Sequence, residues 1–467
     1  MCGIFYFRTM NITRFIETAF KRFLPSPFAI AVLLTLLTMA LALLFTDVRQ
    51  AEQPLVTLWS YWEEGIWNQG LLVFAYQMML ILVLGHILVL SKPMNRLIQK
   101  LTDRVTGTGS AVVWVSVTTL LVSFFNWGLG LIFGAIMARK VAEAAVKRGF
   151  SINYPLVGAA GYSGLMIWHG GISGSAPSKV SEAGHLSSFL ESGLSADLAS
   201  QIPDLIPYSE TIFSLQNLVL FALLLLLVPL VLRWIGKKSK TTTVNLPEYK
   251  SYQSPTDLGK GAERIDRSPW WGMSFGLIIL VVFVSQYWGS LMELVITPNM
   301  LNFFMLGLGL VLHRSFNSFL HAVDEAIKGA AGILLQFPLY FGIMGIMSSS
   351  GMVGQISDFF VSIATETTLP LFTFLSAGLV NIFVPSGGGQ WAVQGPIVIE
   401  SALKLGVPLN KAIMALAYGD QITNMLQPFW ALPLLGITKL KAKQILPYTL
   451  ILMLVGTAVF MLGLLAW

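Results

Sequence analysis

NIFVPSGGGQWAVQGP, residues 381–396, interrupts two apolar arms, 369–380 before it and 397–405 after it. A proline, a serine and three consecutive glycines cannot continue a regular helix without cost. Irregular backbone at membrane depth is tolerated only where it is buried in protein or lines a wet cavity. The stretch therefore predicts the tip of a helical hairpin that forms half of a solute-binding site. A kinked helix or an ordinary helix–helix turn is the competing reading.

The rest of the chain has the composition such a hairpin needs. Of 467 residues, 55% are hydrophobic and 11% charged, against about a quarter charged in soluble domains. The chain is an all-α polytopic membrane protein by this measure. The net charge of +6 reflects basic cytoplasmic loops rather than nucleic-acid binding. Cys2 is the single cysteine, which excludes an internal disulfide or a multi-cysteine metal site. No cleavable leader is expected, because the first long apolar run begins after residue 22 and exceeds a signal core. Met10 is an alternative start.

A span needs about 20 mainly apolar residues. Nine are expected, at 26–46, 71–90, 155–177, 212–232, 270–288, 298–312, 329–347, 412–433 and 445–467. The third and eighth are rich in Gly, Pro and polar residues and read as broken helices. Two more stretches, about 110–138 and 370–405, are too long for one span and too short for two. They read as re-entrant hairpins broken at NWGLG and VPSGGG. Basic loops face the cytoplasm. Arg8, Arg14, Lys21 and Arg22 put the N-terminus inside, with 1–25 as an interfacial helix. The acidic loops 47–70, 178–210 and 351–369 lie outside, and 91–109 and 233–268 inside. The second hairpin then enters from outside.

An offset of 257 aligns Glu143–Gly149 with Glu400–Gly406, Gly130 with Gly387 and Asn153 with Asn410. It also superposes the two hairpin breaks and the two broken spans. With 233–297 as cytoplasmic loop and inverting helix, 26–232 and 298–467 read as two inverted repeats, the architecture of secondary transporters.

Hairpin tips expose unpaired amides that suit an anion. The candidate substrate residues are Asn126, Trp127 and Gly128 at the first tip and Asn381, Ser386, Gly387, Gly388, Gly389 and Gln390 at the second. Gln394 adds a further amide. His169, Ser173 and Ser175 come from the first broken span, and Asn424 and Gln427 from the second. Asp420, Asn424 and Gln427 fall at i, i+4 and i+7, which predicts one helical face. A carboxylate inside a span is by default functional, so Asp420 reads as the ion-coupling residue, holding H⁺ or Na⁺. A carboxylate that merely bonds a helix terminus nearer the outside is the competing reading. His169 binds the substrate anion, shuttles a proton or simply packs. Glu143 and Glu400 read as interfacial or capping acids, and His86 as structural. Trp127, Trp168, Trp391 and Trp430 are expected to wall an apolar pocket. No cofactor is expected, and no GxxxxGK[ST], HExxH or GxSxG motif supports ATP-driven pumping or hydrolysis.

VPSGGGQWAVQGP, AYGDQITNMLQPFWALP, NWGLGL and GGISGSAP, in that mutual arrangement, resemble the short-chain fatty acid transporter family. The resemblance runs from LPSPFAIAVLLTLLT through LLQFPLYFGIMG to the end. It implies import of small monocarboxylates such as acetoacetate or butyrate through a bacterial inner membrane, by a scaffold-and-transport architecture that is often homodimeric. The family pattern differs in having glycine at the position of His169 and histidine at that of Gln390. A transporter of a dicarboxylate or amino acid is the alternative, although no buried arginine beyond Arg139 offers a second anion anchor. A membrane enzyme is the other class.

Overall fold

In the computed structural model the residues described are 25–93, 96, 100, 102–187, 201–239, 241, 261–292 and 297–467. Residues 1–24 of the expected interfacial helix at 1–25 and parts of the loops 91–109, 178–210 and 233–268 lie outside them. The described residues form helices and connecting turns. In order these are α1 (Pro27–Phe45), α2 (Pro54–Ile66), α3 (Gln69–Leu90), α4 (Thr108–Phe125), α5 (Trp127–Arg148), α6 (Tyr154–Tyr162), α7 (Ser175–Val180), α8 (Leu215–Lys238), α9 (Glu263–Arg267) and α10 (Pro269–Met292). There follow α11 (Pro298–His313), α12 (Phe316–Ala326), α13 (Ala331–Ser349), α14 (Met352–Ser362), α15 (Leu369–Phe383), α16 (Gly387–Leu405), α17 (Leu409–Thr423), α18 (Pro428–Thr438) and α19 (Ala442–Ala466).

Six of these are long and apolar enough to cross a membrane: α1, α3, α4, α8, α10 and α19. The last helix, like the others, carries large apolar side chains on its outer face. Leu215, Val281 and Leu454 are 75%, 68% and 57% exposed, a pattern that a lipid environment satisfies and water does not. The protein is a multi-pass membrane protein. Five of the six long helices fall on expected spans. The sixth, α4, is an arm of the first hairpin. Its 18 residues reach about 27 Å at 1.5 Å per residue, so that hairpin is deeper than its apolar run suggests.

Besides the five-residue α9, three helices are absent from the hydropathy reading. Pro54–Ile66 and Met352–Ser362 lie in loops read as merely acidic, and Phe316–Ala326 in the connection between two expected spans. Each pairs an apolar face with a polar one, so its average apolarity is low. α2 packs tightly on α13, and Leu58 is completely buried there.

Both hairpins form. Asn126, in extended conformation (φ −150°, ψ 124°), ends α4 and begins α5, and its side chain accepts the Leu129 amide at 2.9 Å. Pro385 cannot extend α15, and Ser386 caps α16 by accepting the Gly389 amide at 3.2 Å. The two second arms end alike. Gly149 (φ 72°) and Gly406 (φ 71°) are left-handed, a conformation that disfavours any residue with a Cβ. Phe150 and Val407 then donate to the carbonyls of Ala145 and Ala402, the same Schellman closure 257 positions apart.

The broken spans are more interrupted than expected. In the first, helix stops at Tyr162, a 3₁₀ turn covers Ser163–Met166, and α7 begins only at Ser175. In the second, α17 ends at Thr423, a 3₁₀ turn covers Asn424–Leu426, and Gln427 is extended before Pro428 starts α18. Asp420, Asn424 and Gln427 therefore do not lie on one helical face. The i, i+4, i+7 expectation fails because Pro428 denies Gln427 a helical conformation. Glu143 pairs with Arg139 and Lys140 at 2.9 and 2.8 Å, and Glu400 with Lys404 at 2.6 Å. These are intrahelical ion pairs.

Candidate functional site

The site begins with a backbone problem. Two helices break inside the protein, and each break frees amides and carbonyls that need partners. At the first break, the amides of His169 and Gly170 both donate to Gln421 Oε1, at 2.8 and 3.0 Å. Asn217 Nδ2 donates to Gly170 O at 2.9 Å, and its Oδ1 accepts from the Tyr418 hydroxyl at 2.8 Å. At the second break, Tyr162 OH lies 2.8 Å from Asn424 O and 3.0 Å from Gln427 O. Each broken span is thus held by side chains from the other.

The tips close on the same place. The Trp127 amide donates to Ser173 Oγ at 2.9 Å, and the Ile172 amide to Phe124 O at 2.8 Å. These bonds tie the first tip to the first break. At the second tip, Gln427 Nε2 donates to Asn381 O and Ile382 O at 2.6 and 2.9 Å, covering carbonyls at the end of α15. Asn381 Nδ2 sits among three oxygens: Asp420 O at 2.8 Å, Thr423 Oγ1 at 2.9 Å and Asn424 Oδ1 at 2.8 Å. A Cβ added to Gly387 would stand 2.8 Å from the Trp168 ring and 2.9 Å from His169 Cε1. Only glycine lets this tip lie against the first break.

Trp168 consequently sits between the tips. It stacks on His169 at 4.6 Å and meets Trp127 at 5.8 Å, and Trp127 meets Trp430 at 5.0 Å. Phe74 closes the cluster, 6.2 Å from Trp127 and 6.1 Å from Trp430. Trp391 stands apart from this wall. Its indole N–H donates to His185 Nε2 at 2.9 Å, in the loop after α7.

At the centre are His169 and Asp420, both with no exposed surface. His169 Nδ1 is hydrogen-bonded to Asp420 Oδ2. His169 Nε2 accepts the Ala176 amide at 3.0 Å. A nitrogen that accepts carries no proton, so the ring proton is on Nδ1 and is donated to the carboxylate. Among the described residues Asp420 Oδ1 has no partner, and neither do Asn381 Oδ1, Gln427 Oε1, Gln390 Oε1 and Asn424 Nδ2.

The expected substrate residues thus divide by what they touch. Asn126, Ser173, Asn381, Asn424 and Gln427 bond backbone or one another at the breaks. Gln390 lies between the arms of the second hairpin, donating to Ala377 O at 2.9 Å and Gln394 Oε1 at 2.7 Å. Gly128 is buried in the first turn of α5. Ser175, Ser386, Gly388 and Gly389 keep accessible surface. The amides of Gly387 and Gly388 have no hydrogen-bond partner among the described residues, as at any helix N-terminus. A Cβ on Gly388 would lie 3.9 Å from Ser175 Oγ. Gln421, which the sequence places on the polar side of the second broken span, is part of the framework with Tyr162 and Asn217, which the sequence does not single out. A lone amide such as Asn217 in the apolar run 212–232 is the signal that could have found one of them. Among the described residues no group of three His, Cys, Asp or Glu side chains could hold a metal ion.

The model of the family described as short chain fatty acid transporter matches residues 9–466. The chain belongs to this family. A relative in Escherichia coli (strain K12) bearing the name "Putative short-chain fatty acid transporter" is 36% identical over 97% of this chain and 99% of its own. A relative of the same name in Haemophilus influenzae is 34% identical over the same shares. The backbone overlaps the Alcanivorax borkumensis YdaH transporter at a TM-score of 0.46 and 14% identity, covering 95% of this chain and 97% of that one. Family membership makes this a transporter, and the paired helix breaks are its candidate transport site.

Proposed function

We propose that the protein is an ion-coupled secondary transporter that moves short-chain monocarboxylates such as butyrate and acetoacetate across the bacterial inner membrane by alternating access. The observation that carries this reading is the meeting of both hairpin tips and both helix breaks around Trp168, His169 and Asp420. The substrate carboxylate is received by the free amides of Gly387 and Gly388 with the hydroxyls of Ser386 and Ser175. The positive end of α16 and its unspent donors favour an anion there. The short acyl chain lies towards the Trp127, Trp168 and Trp430 rings. Trp168 and Trp430 also keep buried indole N–H groups without partners among the described residues.

The two hairpin–break units act as inverted repeats, the first entering from the cytoplasm and the second from outside, with nine spans and an inside N-terminus. The matching Gly149 and Gly406 closures at the offset of 257 support the repeat. Asp420 carries the coupling ion, H⁺ or Na⁺, and a homodimer is the expected assembly.

The test is uptake and counterflow of radiolabelled butyrate and acetoacetate in proteoliposomes, with Na⁺ and pH gradients imposed separately and protein-free vesicles as the leak control. Saturable counterflow above the leak is expected. Absence of counterflow for both acids under every gradient would overturn the substrate assignment.

A further inference from the structure

We propose that the His169–Asp420 pair is a proton site that takes up one proton for each carboxylate bound, so that the coupling ion is H⁺. The proposal rests on the transport reading above and adds to it which ion, which atoms and why binding and protonation are linked.

The protonation state follows from the geometry. The Ala176 amide donates to His169 Nε2 at 3.0 Å and Nδ1 faces Asp420 Oδ2. A doubly protonated ring would set N–H against N–H at Ala176. The imidazole is therefore neutral, so with its carboxylate unprotonated the pair carries one negative charge. Asp420 has no other ion-pair partner among the described residues, and its Oδ1 accepts nothing. A buried, uncompensated carboxylate with one open oxygen is a site waiting for a cation.

That cation is a proton. A metal ion needs several oxygens with free lone pairs. Beside the pair, Asp420 O, Thr423 Oγ1 and Asn424 Oδ1 converge on Asn381 Nδ2, a donor that a metal ion would have to displace before using them, while Asp420 Oδ1, Asn381 Oδ1 and Gln427 Oε1 stay open among the described residues. A proton needs only Oδ1. It comes from hydronium on the loading side, forms an O–H bond at Asp420, and returns to water on the other side. His169 stays neutral and keeps its bond to Ala176.

The other titratable groups on neighbouring elements are engaged. The hydroxyls of Tyr162 and Tyr418 face Asn424 O and Asn217 Oδ1. Lys179 on α7 pairs with Glu182, Lys404 on α16 with Glu400, and Arg139 and Lys140 on α5 with Glu143. On α17 itself Lys411 reaches Trp467 O at 3.2 Å, and on α19 the Tyr448 hydroxyl accepts from Asn153.

Linkage to substrate follows from proximity. The site of a Cβ on Gly387 is 3.2 Å from His169 Nδ1, so a carboxylate on the Gly387 and Gly388 amides shares the pair's dry surroundings. Two anions there repel strongly. Substrate binding therefore draws in a proton, and by reciprocity the protonated pair binds substrate more tightly.

The test is calorimetric titration of the detergent-solubilised protein with butyrate, in buffers of different ionisation enthalpy and with or without Na⁺. Detergent removes the confounding leak of free acid through lipid. The wild type is expected to take up about one proton per butyrate, its Kd rising about tenfold per pH unit once the pair is deprotonated. Asp420→Asn mimics the protonated state and is expected to bind butyrate with no proton uptake and a flat pH profile. It should also retain counterflow while losing accumulation driven by a pH gradient. His169→Gln, which keeps a donor towards Asp420, reports on the pair if the first variant fails to fold, and should shift the pH profile. Wild-type binding with no proton taken up, or binding that requires Na⁺, overturns the proton assignment and leaves the transport reading intact. No butyrate binding and no counterflow at any pH overturns the transport reading itself.

Discussion

At the residue scale, the consequential side chains are those that substitute for lost helical hydrogen bonds. Asn381 is the clearest. Its one amide nitrogen serves Asp420 O, Thr423 Oγ1 and Asn424 Oδ1, and its carbonyl is covered by Gln427. Asn381→Ala would strand buried acceptors, so we expect a loss of about 2–3 kcal/mol, read as a lower unfolding temperature in detergent. Gly387 acts through what it lacks. A Cβ there would overlap Trp168 and His169 at 2.8 and 2.9 Å, and overpacking against rigid rings costs about 1–3 kcal/mol. Gly387→Ala is expected to cut uptake at least tenfold while the protein still inserts. Gly388→Ala meets nothing nearer than 3.9 Å and should be far milder. Equal effects of the two variants would show that the second tip does not need its contact with the first break.

At the element scale, the second hairpin has a contact outside the site. Trp391 on α16 donates to His185 in the loop that follows α7. Burial lowers the His185 pKa from 6.5, Lys179 lowers it further, and Glu182 opposes both. Because the folded value is depressed, the neutral ring is the form the contact stabilises. The contact is complete above the ordinary value and is lost as pH falls through the lowered one. Hydrogen exchange of residues 181–187, corrected for intrinsic rates, should therefore speed up between neutral and acid pH. Trp391→Phe should exchange fast at both. A wild-type loop equally protected across that range would rule the contact out as the cause.

At the scale of the whole molecule, the two hairpins and two broken spans form one unit because each supplies what another lacks. α7 packs on both α16 and α17, and Ser175 Oγ is 3.9 Å from the Cβ site of Gly388. That approach leaves the two Cβ atoms no more than about 5.3 Å apart, so a side-chain rotation can bring thiols at both positions within reach of a disulfide. With Cys2→Ser, the pair Ser175→Cys and Gly388→Cys should crosslink on oxidation, stop uptake, and recover it on reduction. Uptake that continues through the crosslinked protein would mean that the second tip and α7 move together. The multi-pass class, both hairpins and both breaks were legible in the order of residues, because apolar length, glycine and proline act locally. The amphipathic helices Pro54–Ile66, Phe316–Ala326 and Met352–Ser362 were not, because their apolar faces are diluted by polar ones.

Local chemistry by itself determined that this is a multi-pass membrane protein and where its hairpins turn, at Asn126 and at Pro385–Ser386, although Pro229, Pro338, Pro396, Pro433 and Pro447 lie inside helices and proline alone is no stop signal. It also marked Asp420 and His169 as costly residues for such surroundings. Only the tertiary structure decided that they are partners, 251 positions apart, and that Trp391 leaves the aromatic wall for His185. Hydrogen-bond partners across broken helices depend on which break packs on which tip. That choice is made by close backbone approach at positions such as Gly387, and spacing along the chain carries no record of it.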